Sequence, residues 1–503
     1  MKTTITTILS KIPSEKQGRS RTVLKCLNTP GDDDSCSLYS NDYPDYGKKV
    51  PLDGPYSDLD AESQNVLTEP NPNKKKYETE YHQGHVSFWM SVFNLASVLT
   101  GMGILAVSFA MANTGIALFV ILLASHAIFS LYSVHLLLKT AIEGGARVYE
   151  ELGYKAFGMP GKLAASCSIN MQNIGAMSGY LVIIKYELLF FIQTFTGANN
   201  GEWYINGDYL VLLVSVIIIL PLSLPKNLDC LRYTSGLPLL CMVFFLIVVI
   251  IKKFEIPCPL PLTDHVNETI LTLDTCRPKY FVFNSQTVYA IPIVTFAFVC
   301  HPTILPMYEE LKDRSRRKMQ NIANVSFLAM FIMYLLGALF GYLTFNIHVE
   351  PKLLHTYFKY FKHDVLLLVV RLAVLAAVTL TVPVVLFPIR TSISHLLFST
   401  RDFRWIQHII ITVILLAGTN TLVIFVPSIR YIIGFIGASA APMLIFILPS
   451  AFYIKLVKKE SMMSMQKIGA ILFLILGFFV MFGCMTMILM DWISNSEVAD
   501  QGH

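Results

Sequence analysis

The sequence predicts an all-α polytopic membrane protein of about eleven transmembrane helices, and three observations carry that expectation. Of the 503 residues, 54% are hydrophobic and only 15% are charged. Mean hydropathy is +0.55, far above the balance of a soluble domain. The apolar residues arrive in blocks of about 20, the length that a rise of 1.5 Å per residue needs to cross about 30 Å of hydrocarbon. Short segments of alternating polarity, the mark of a membrane β-barrel, are absent.

Taken in order, residues 1–85 come first. They are poor in apolar residues and contain Asp32-Asp33-Asp34 and Lys74-Lys75-Lys76, so they predict a disordered cytoplasmic tail that builds no core. Such a tail is open to phosphorylation, degradation or regulatory proteins. Its polarity gives no reason to expect a cleavable signal peptide. Residues 86–493 form the eleven-helix membrane domain, with apolar blocks centred near Gly101, Ile128, Gly175, Ser215, Phe245, Phe296, Met333, Ala376, Leu415, Met443 and Phe478. The third block exceeds one crossing and holds Asn170, Gln172 and Asn173, which either line a pathway or bond between helices. Residues 494–503 form a short tail.

Lys and Arg set the orientation, because basic loops are retained in the cytoplasm. The run Lys312-Asp313-Arg314-Ser315-Arg316-Arg317-Lys318 after the sixth block places that loop inside. The N-terminus is then cytoplasmic, and an odd number of spans puts the C-terminus outside. The loop 254–285 falls on the extracellular side, where Asn267-Glu268-Thr269 is a glycosylation acceptor. Cys258 and Cys276 flank it, either bridged in that oxidising compartment or present as two loop thiols.

Several function classes are excluded. The net charge of +5 is spread over short loops and offers no face for nucleic acid. The nine cysteines lack metal-ligand spacing. No nucleophile-base-acid set, phosphate loop or nucleotide-binding domain is present, so neither an enzyme nor an ATP-driven pump is expected.

Chemistry concentrates in three blocks. In the first, Thr100-Gly101-Met102-Gly103 lies near mid-membrane, and glycine weakens a helix by about 1 kcal/mol relative to alanine. Unwound backbone at that depth must face protein or a polar cavity, where free N–H groups suit a carboxylate and free carbonyls suit a small cation. Small residues also serve close helix packing. The sixth block is interrupted at a comparable place by Phe296-Ala297-Phe298-Val299-Cys300-His301-Pro302. Two broken segments about five spans apart mark an inverted-repeat transporter with its site between the repeats. In the eighth block stands Arg371, which gates the pathway, pairs with Glu187 or snorkels to the interface. Thr379-Leu380-Thr381-Val382-Pro383 follows, and its hydroxyls either ligate sodium or bond back to the helix.

These motifs, with Lys74-Lys-Lys-Tyr-Glu-Thr-Glu, Ser91-Val-Phe-Asn-Leu, Ala110-Met-Ala-Asn-Thr-Gly115, Asn284-Ser-Gln-Thr287, Glu309-Glu-Leu-Lys-Asp313 and Gly434-Phe-Ile-Gly-Ala-Ser439, run from the tail to the last block. The chain so resembles the sodium-coupled neutral amino acid transporters of the system A and system N type, within the amino acid/auxin permease superfamily, and looks closest to system A. The resemblance implies a LeuT-like 5+5 inverted repeat with broken first and sixth helices, multi-pass insertion in the plasma membrane, and inward symport of sodium with alanine, serine, glutamine or similar neutral L-amino acids. It implies no cofactor beyond the coupling sodium, and a disulfide between Cys258 and Cys276. The substrate is expected at Thr100, Gly101, Met102, Gly103, Phe296 and Phe298, and sodium at Ser97, Thr379 and Thr381. Two positions depart from the family pattern: Ser97 stands where the sodium-site asparagine is usual, and Met102 where a small polar residue is usual. Sodium-independent or weakly coupled transport is the alternative these substitutions raise, and a non-transporting amino acid sensor is a second.

Overall fold

The computed structural model describes residues 84–101, 103–196, 205–225, 236–256, 277–360, 364–397, 404–426 and 428–500. Contacts divide the chain into residues 1–79 and 80–503, and all described residues belong to the second unit. Residues 1–83 of the expected tail (1–85), together with Met102, Cys258, Asn267 and Cys276, lie outside the described residues.

Among those residues the protein is helical, and the fold class expected from the sequence is borne out. The first span is two helices, α1 (Phe88–Thr100) and α2 (Gly103–Thr114), bent by 55° about the Gly101–Gly103 break. Ser87 caps α1 by accepting from the Met90 amide. A turn at Gly115, with φ at +81°, leads into α3 (Ile116–Gly144). A Cβ there would lie 2.6 Å from the Tyr280 backbone, so both conformation and space select glycine. The carbonyls of Lys279 and Tyr280 accept from the Ile116 and Ala117 amides at 3.1 and 3.0 Å, satisfying two of the donors that open α3.

The long third block resolves into one element, α4 (Tyr149–Thr196), interrupted by non-helical Gly158 and carrying Pro160 two residues later. Its first turns thus form a separate short helix ahead of the span, which explains the excess length. Next come α5 (Gly207–Ser223), containing a π turn at Ser215–Ile219, and α6 (Gly236–Glu255). The sixth span is broken as predicted. A 3-10 turn (Ser285–Tyr289) and α7 (Ala290–Ala297) end at Phe298, Val299 and Cys300 leave the helix, and α8 (His301–Glu310) restarts with Pro302 in its first turn.

The remaining elements are α9 (Arg316–Phe345), the short α10 (Leu353–Tyr360), α11 (Val365–Leu397), α12 (Trp405–Phe425), α13 (Ile429–Leu456), which kinks at Ser439, and α14 (Met465–Asp500). The last helix runs through residues 494–500, part of the stretch expected to be a tail. Among the described residues, nine helical stretches, the interrupted Ser285–Glu310 counted as one, are long and apolar enough to span a membrane, and the bent α1–α2 pair taken as one span makes ten; α5 is a shorter apolar helix. Exposed Ile, Leu, Val and Phe on α5, α12 and α14 form the outward surface, as helices facing lipid require.

Packing around the breaks is close. α9 lies along both α1 and α2, while α4 and α11 pack on each other. A strap joins the two interrupted spans at one end: the Val86 amide donates to the Glu310 carbonyl and the Lys312 amide to the Val86 carbonyl, each at 3.0 Å. The start of α1 is thereby tied to the end of α8.

Candidate substrate and cation site

A cavity of about 1520 Å³ lies between the two breaks on one side and α4 and α11 on the other. Its walls include Asn94, Ser97, Thr100, Gly101 and Gly103 from the first span, Phe296, Ala297, Val299 and Cys300 from the sixth, Gln172, Asn173 and Tyr180 from α4, and Thr381, Thr391 and Ser392 from α11. Toward the strap it reaches Glu150, Glu151, Lys162 and Glu310, so charged residues ring that end. Among the described residues, no cluster of His, Cys, Asp and Glu suits a transition metal.

The breaks supply backbone chemistry. Where α1 ends and α2 begins, helix hydrogen bonding lapses and leaves carbonyls and amides to be satisfied from outside the helix. The Tyr334 hydroxyl of α9 fills that role for both spans at once, contacting the carbonyl of Leu99, and that of Ala297 at 3.1 Å. It is buried between them. Gly103 is needed for the approach, since a Cβ there would stand 2.7 Å from the Ala297 Cβ and 3.0 Å from the Tyr334 hydroxyl. At Gly101 a Cβ would lie 3.0 Å from the Tyr180 hydroxyl. Glycine therefore brings the interrupted spans and two tyrosines together, with peptide groups rather than side chains facing the space between.

The residues expected to bind substrate divide. Thr100, Gly101, Gly103 and Phe296 line the cavity. The Thr100 hydroxyl bonds back to Ala96 at 2.7 Å and also approaches the Met330 sulfur at 3.4 Å. Phe298 is fully buried elsewhere, stacked on Phe327 with ring centroids 5.7 Å apart and edge-on to Tyr334 at 5.6 Å. It is outside the lining residues and belongs to the packing behind the break.

The residues expected at sodium divide as well. Ser97 and Thr381 face the same cavity, from α1 and α11, and Thr379 does not. Both threonine hydroxyls donate to carbonyls one turn back, Thr379 to Leu375 and Thr381 to Ala377, each at 2.7 Å. Donation consumes the hydroxyl proton and leaves oxygen lone pairs, so the Thr381 oxygen can still ligate a cation from the cavity wall.

Arg371 does not line the cavity. It is buried, with Nε 3.6 Å from Glu187, a guanidine nitrogen donating to the Leu354 carbonyl at 2.7 Å, and its face 3.9 Å from the Phe190 ring centroid. It therefore ties α11 to α4 and to α10. At the start of α11, burial opposes ionisation of Asp364, but Lys252 and the Leu367 and Leu366 amides outweigh it and hold the carboxyl below its ordinary range.

Sequence reasoning missed Tyr334 and Tyr180. The usable signal was a phenol inside an apolar block, whose hydroxyl must find a partner where water is absent.

Comparison with known proteins follows the geometry. Residues 84–490 match the family described as transmembrane amino acid transporter protein. The sodium-coupled neutral amino acid symporter 2 of Danio rerio is 68% identical over 494 residues, covering 95% of this chain and 98% of that one. The sodium-coupled neutral amino acid transporter 4 of Homo sapiens is 54% identical over 533 residues, covering 93% and 97%. Among solved structures, Mhp1, a nucleobase-cation-symport-1 family transporter in a closed conformation, superposes with a TM-score of 0.52 at 12% identity over 84% of this chain and 94% of that one. Its inward-facing conformation gives 0.53 at 11% identity over 83% and 92%. At such low identity the likeness speaks to fold alone, and it is to a LeuT-fold transporter. Two spans broken at matching places, a polar cavity between them and a family match over most of the membrane domain converge: this chain belongs to the transmembrane amino acid transporter family, a family of multi-pass membrane transporters and not of enzymes.

Proposed function

We propose that the protein carries small neutral amino acids, such as alanine, serine and glutamine, into the cell by symport with sodium. The observation that carries the reading is the pair of broken spans held by Tyr334 around a cavity that Ser97 and Thr381 share, in a chain 68% identical to a protein named a sodium-coupled neutral amino acid symporter. Substrate carboxylate and ammonium engage the free peptide groups between Gly101, Gly103 and Phe296, and sodium sits toward Ser97 and Thr381. Thr379 supports the sodium region from behind. The basic loop at Lys312–Lys318 supports a cytoplasmic N-terminus and an extracellular C-terminus in the plasma membrane. In that topology Asn267 carries a glycan, Cys258 and Cys276 form a disulfide, and regulatory proteins act on residues 1–85.

Radiolabelled alanine uptake by cells expressing the chain, in sodium medium and with choline replacing sodium, tests this directly. Uptake only in sodium is expected. Absence of uptake in both media, at confirmed surface expression, overturns the proposal. A second reading, weak coupling, rests on Ser97, whose hydroxyl is shorter than the amide usual there; equal uptake in both media favours it.

A further inference from the structure

The cavity continues well past the breaks, and its far wall carries polar groups that the site above does not use. Ile169, Gln172, Asn173, Ala176 and Tyr180 form one lining face of α4. Gln172 is eight residues before Tyr180, which beside Gly101 marks the level of the first break. At 1.5 Å per residue the separation along the helix is about 12 Å. On standard bond lengths an extended alanine or serine measures roughly 6 Å and an extended glutamine roughly 8 Å, so a molecule with its carboxylate and ammonium held at the breaks falls short of the level of Gln172.

The Gln172 side chain is only 8% exposed, and its buried Oε1 has no hydrogen-bond partner within the protein. Oxygen and nitrogen of such an amide exchange places by a half-turn, so it can offer either an acceptor or a donor. A buried amide oxygen without a partner is costly, and a transient partner would offset that cost. Its surroundings are built to keep the wall polar: Asn170 Nδ2 donates to the Ser392 hydroxyl at 3.2 Å across α4 and α11, and Ser392, Thr391 and Asn173 also line the cavity.

We infer that Gln172, with Asn173 and Ser392, forms a second subsite between the breaks and the charged mouth, which takes neutral amino acids whose side chains carry an amide or hydroxyl as they leave the first site. This inference rests on the proposed transport of neutral amino acids. Gln172 is its specificity-determining residue, because an amide presents both a donor and an acceptor to a substrate amide, whereas alanine has no polar side-chain group to engage it.

The test compares initial rates of sodium-dependent glutamine and alanine uptake in wild type, Gln172→Leu and Gln172→Asn, each normalised to surface protein. In Gln172→Leu the ratio of maximal glutamine to alanine rates is expected to fall about tenfold, equivalent to about 1.4 kcal/mol. Gln172→Asn should restore part of it. An unchanged ratio in both variants overturns the subsite. If Gln172→Leu fails to reach the surface, equilibrium binding of labelled glutamine to purified full-length wild type and Gln172→Asn decides: two molecules per wild-type chain, with the weaker one weakened further by Gln172→Asn, supports the inference. One molecule per chain means that water alone occupies the Gln172 level and overturns it. Wild type that binds glutamine twice but transports neither amino acid refutes the proposed symport and leaves the subsite standing, so the two failures are distinct.

Discussion

The first span breaks between two glycines, whereas the sixth breaks among aromatic residues ahead of a proline. At the first break the absence of Cβ atoms lets the chain approach Ala297, Tyr334 and Tyr180. At the sixth, Phe298, Val299 and Cys300 leave the helix with full side chains: the Phe298 ring anchors in the core, Val299 and Cys300 line the cavity, and Pro302, in the first turn of α8, fixes where the next helix starts. The difference teaches a division of labour. Glycine exposes peptide groups, and the aromatic break fixes where they sit.

The most damaging way to erase this contrast is to give the first break a side chain. Gly103→Val is expected to cut sodium-dependent uptake to below about one-tenth of wild type at comparable surface level, because overpacking against Ala297 typically costs about 1–3 kcal/mol and would part the two spans. Uptake within twofold of wild type would show that the close approach is dispensable. Removing the shared hydroxyl comes next. Tyr334→Phe keeps the ring against Phe298 but leaves the Leu99 and Ala297 carbonyls without their common donor; a buried unsatisfied group costs about 1–3 kcal/mol, so maximal uptake should drop about fivefold or more. If kinetics are unaltered, each break holds itself.

Ser97→Asn sharpens the first break toward cation binding. A longer amide oxygen should lower the sodium concentration for half-maximal uptake by about threefold, within the range of one added hydrogen-bond-sized interaction; a sodium titration of uptake reads this. The smallest effect is expected at the aromatic break. Phe298→Leu removes stacking worth about 0.5–1.5 kcal/mol, so thermal stability of the purified protein should fall by a few degrees while the KM for alanine stays within twofold. A large change in KM would bring Phe298 into the binding wall.

The same contrast explains what the sequence disclosed. Gly101-x-Gly103 and Pro302 advertise interruption by known backbone preferences, and the apolar blocks advertise length. The sequence groups Phe296 with Phe298 because a broken stretch has no helical phase from which to assign faces; one lines the cavity and the other is core. The Thr379 and Thr381 pair divides for a simpler reason, since residues two apart on a helix point about 200° apart. Gly158 hid the junction that shortens the third span, because a lone glycine in a long helical pattern is as compatible with packing as with a break. Tyr334 was opaque, as its partners lie 235 and 37 residues away in sequence and are carbonyls that only the fold brings near.

The strap at Val86 has a mechanical consequence. Two backbone hydrogen bonds fasten the start of α1 to the end of α8, so the half-helices flanking the mouth form one lever with two arms. Rotating either arm alone must rupture both bonds, whereas rotating them together costs neither. The handle of this lever is Gly84, and residues 1–83 are covalently attached to it. The two half-helices at the mouth are therefore expected to move as a pair rather than singly.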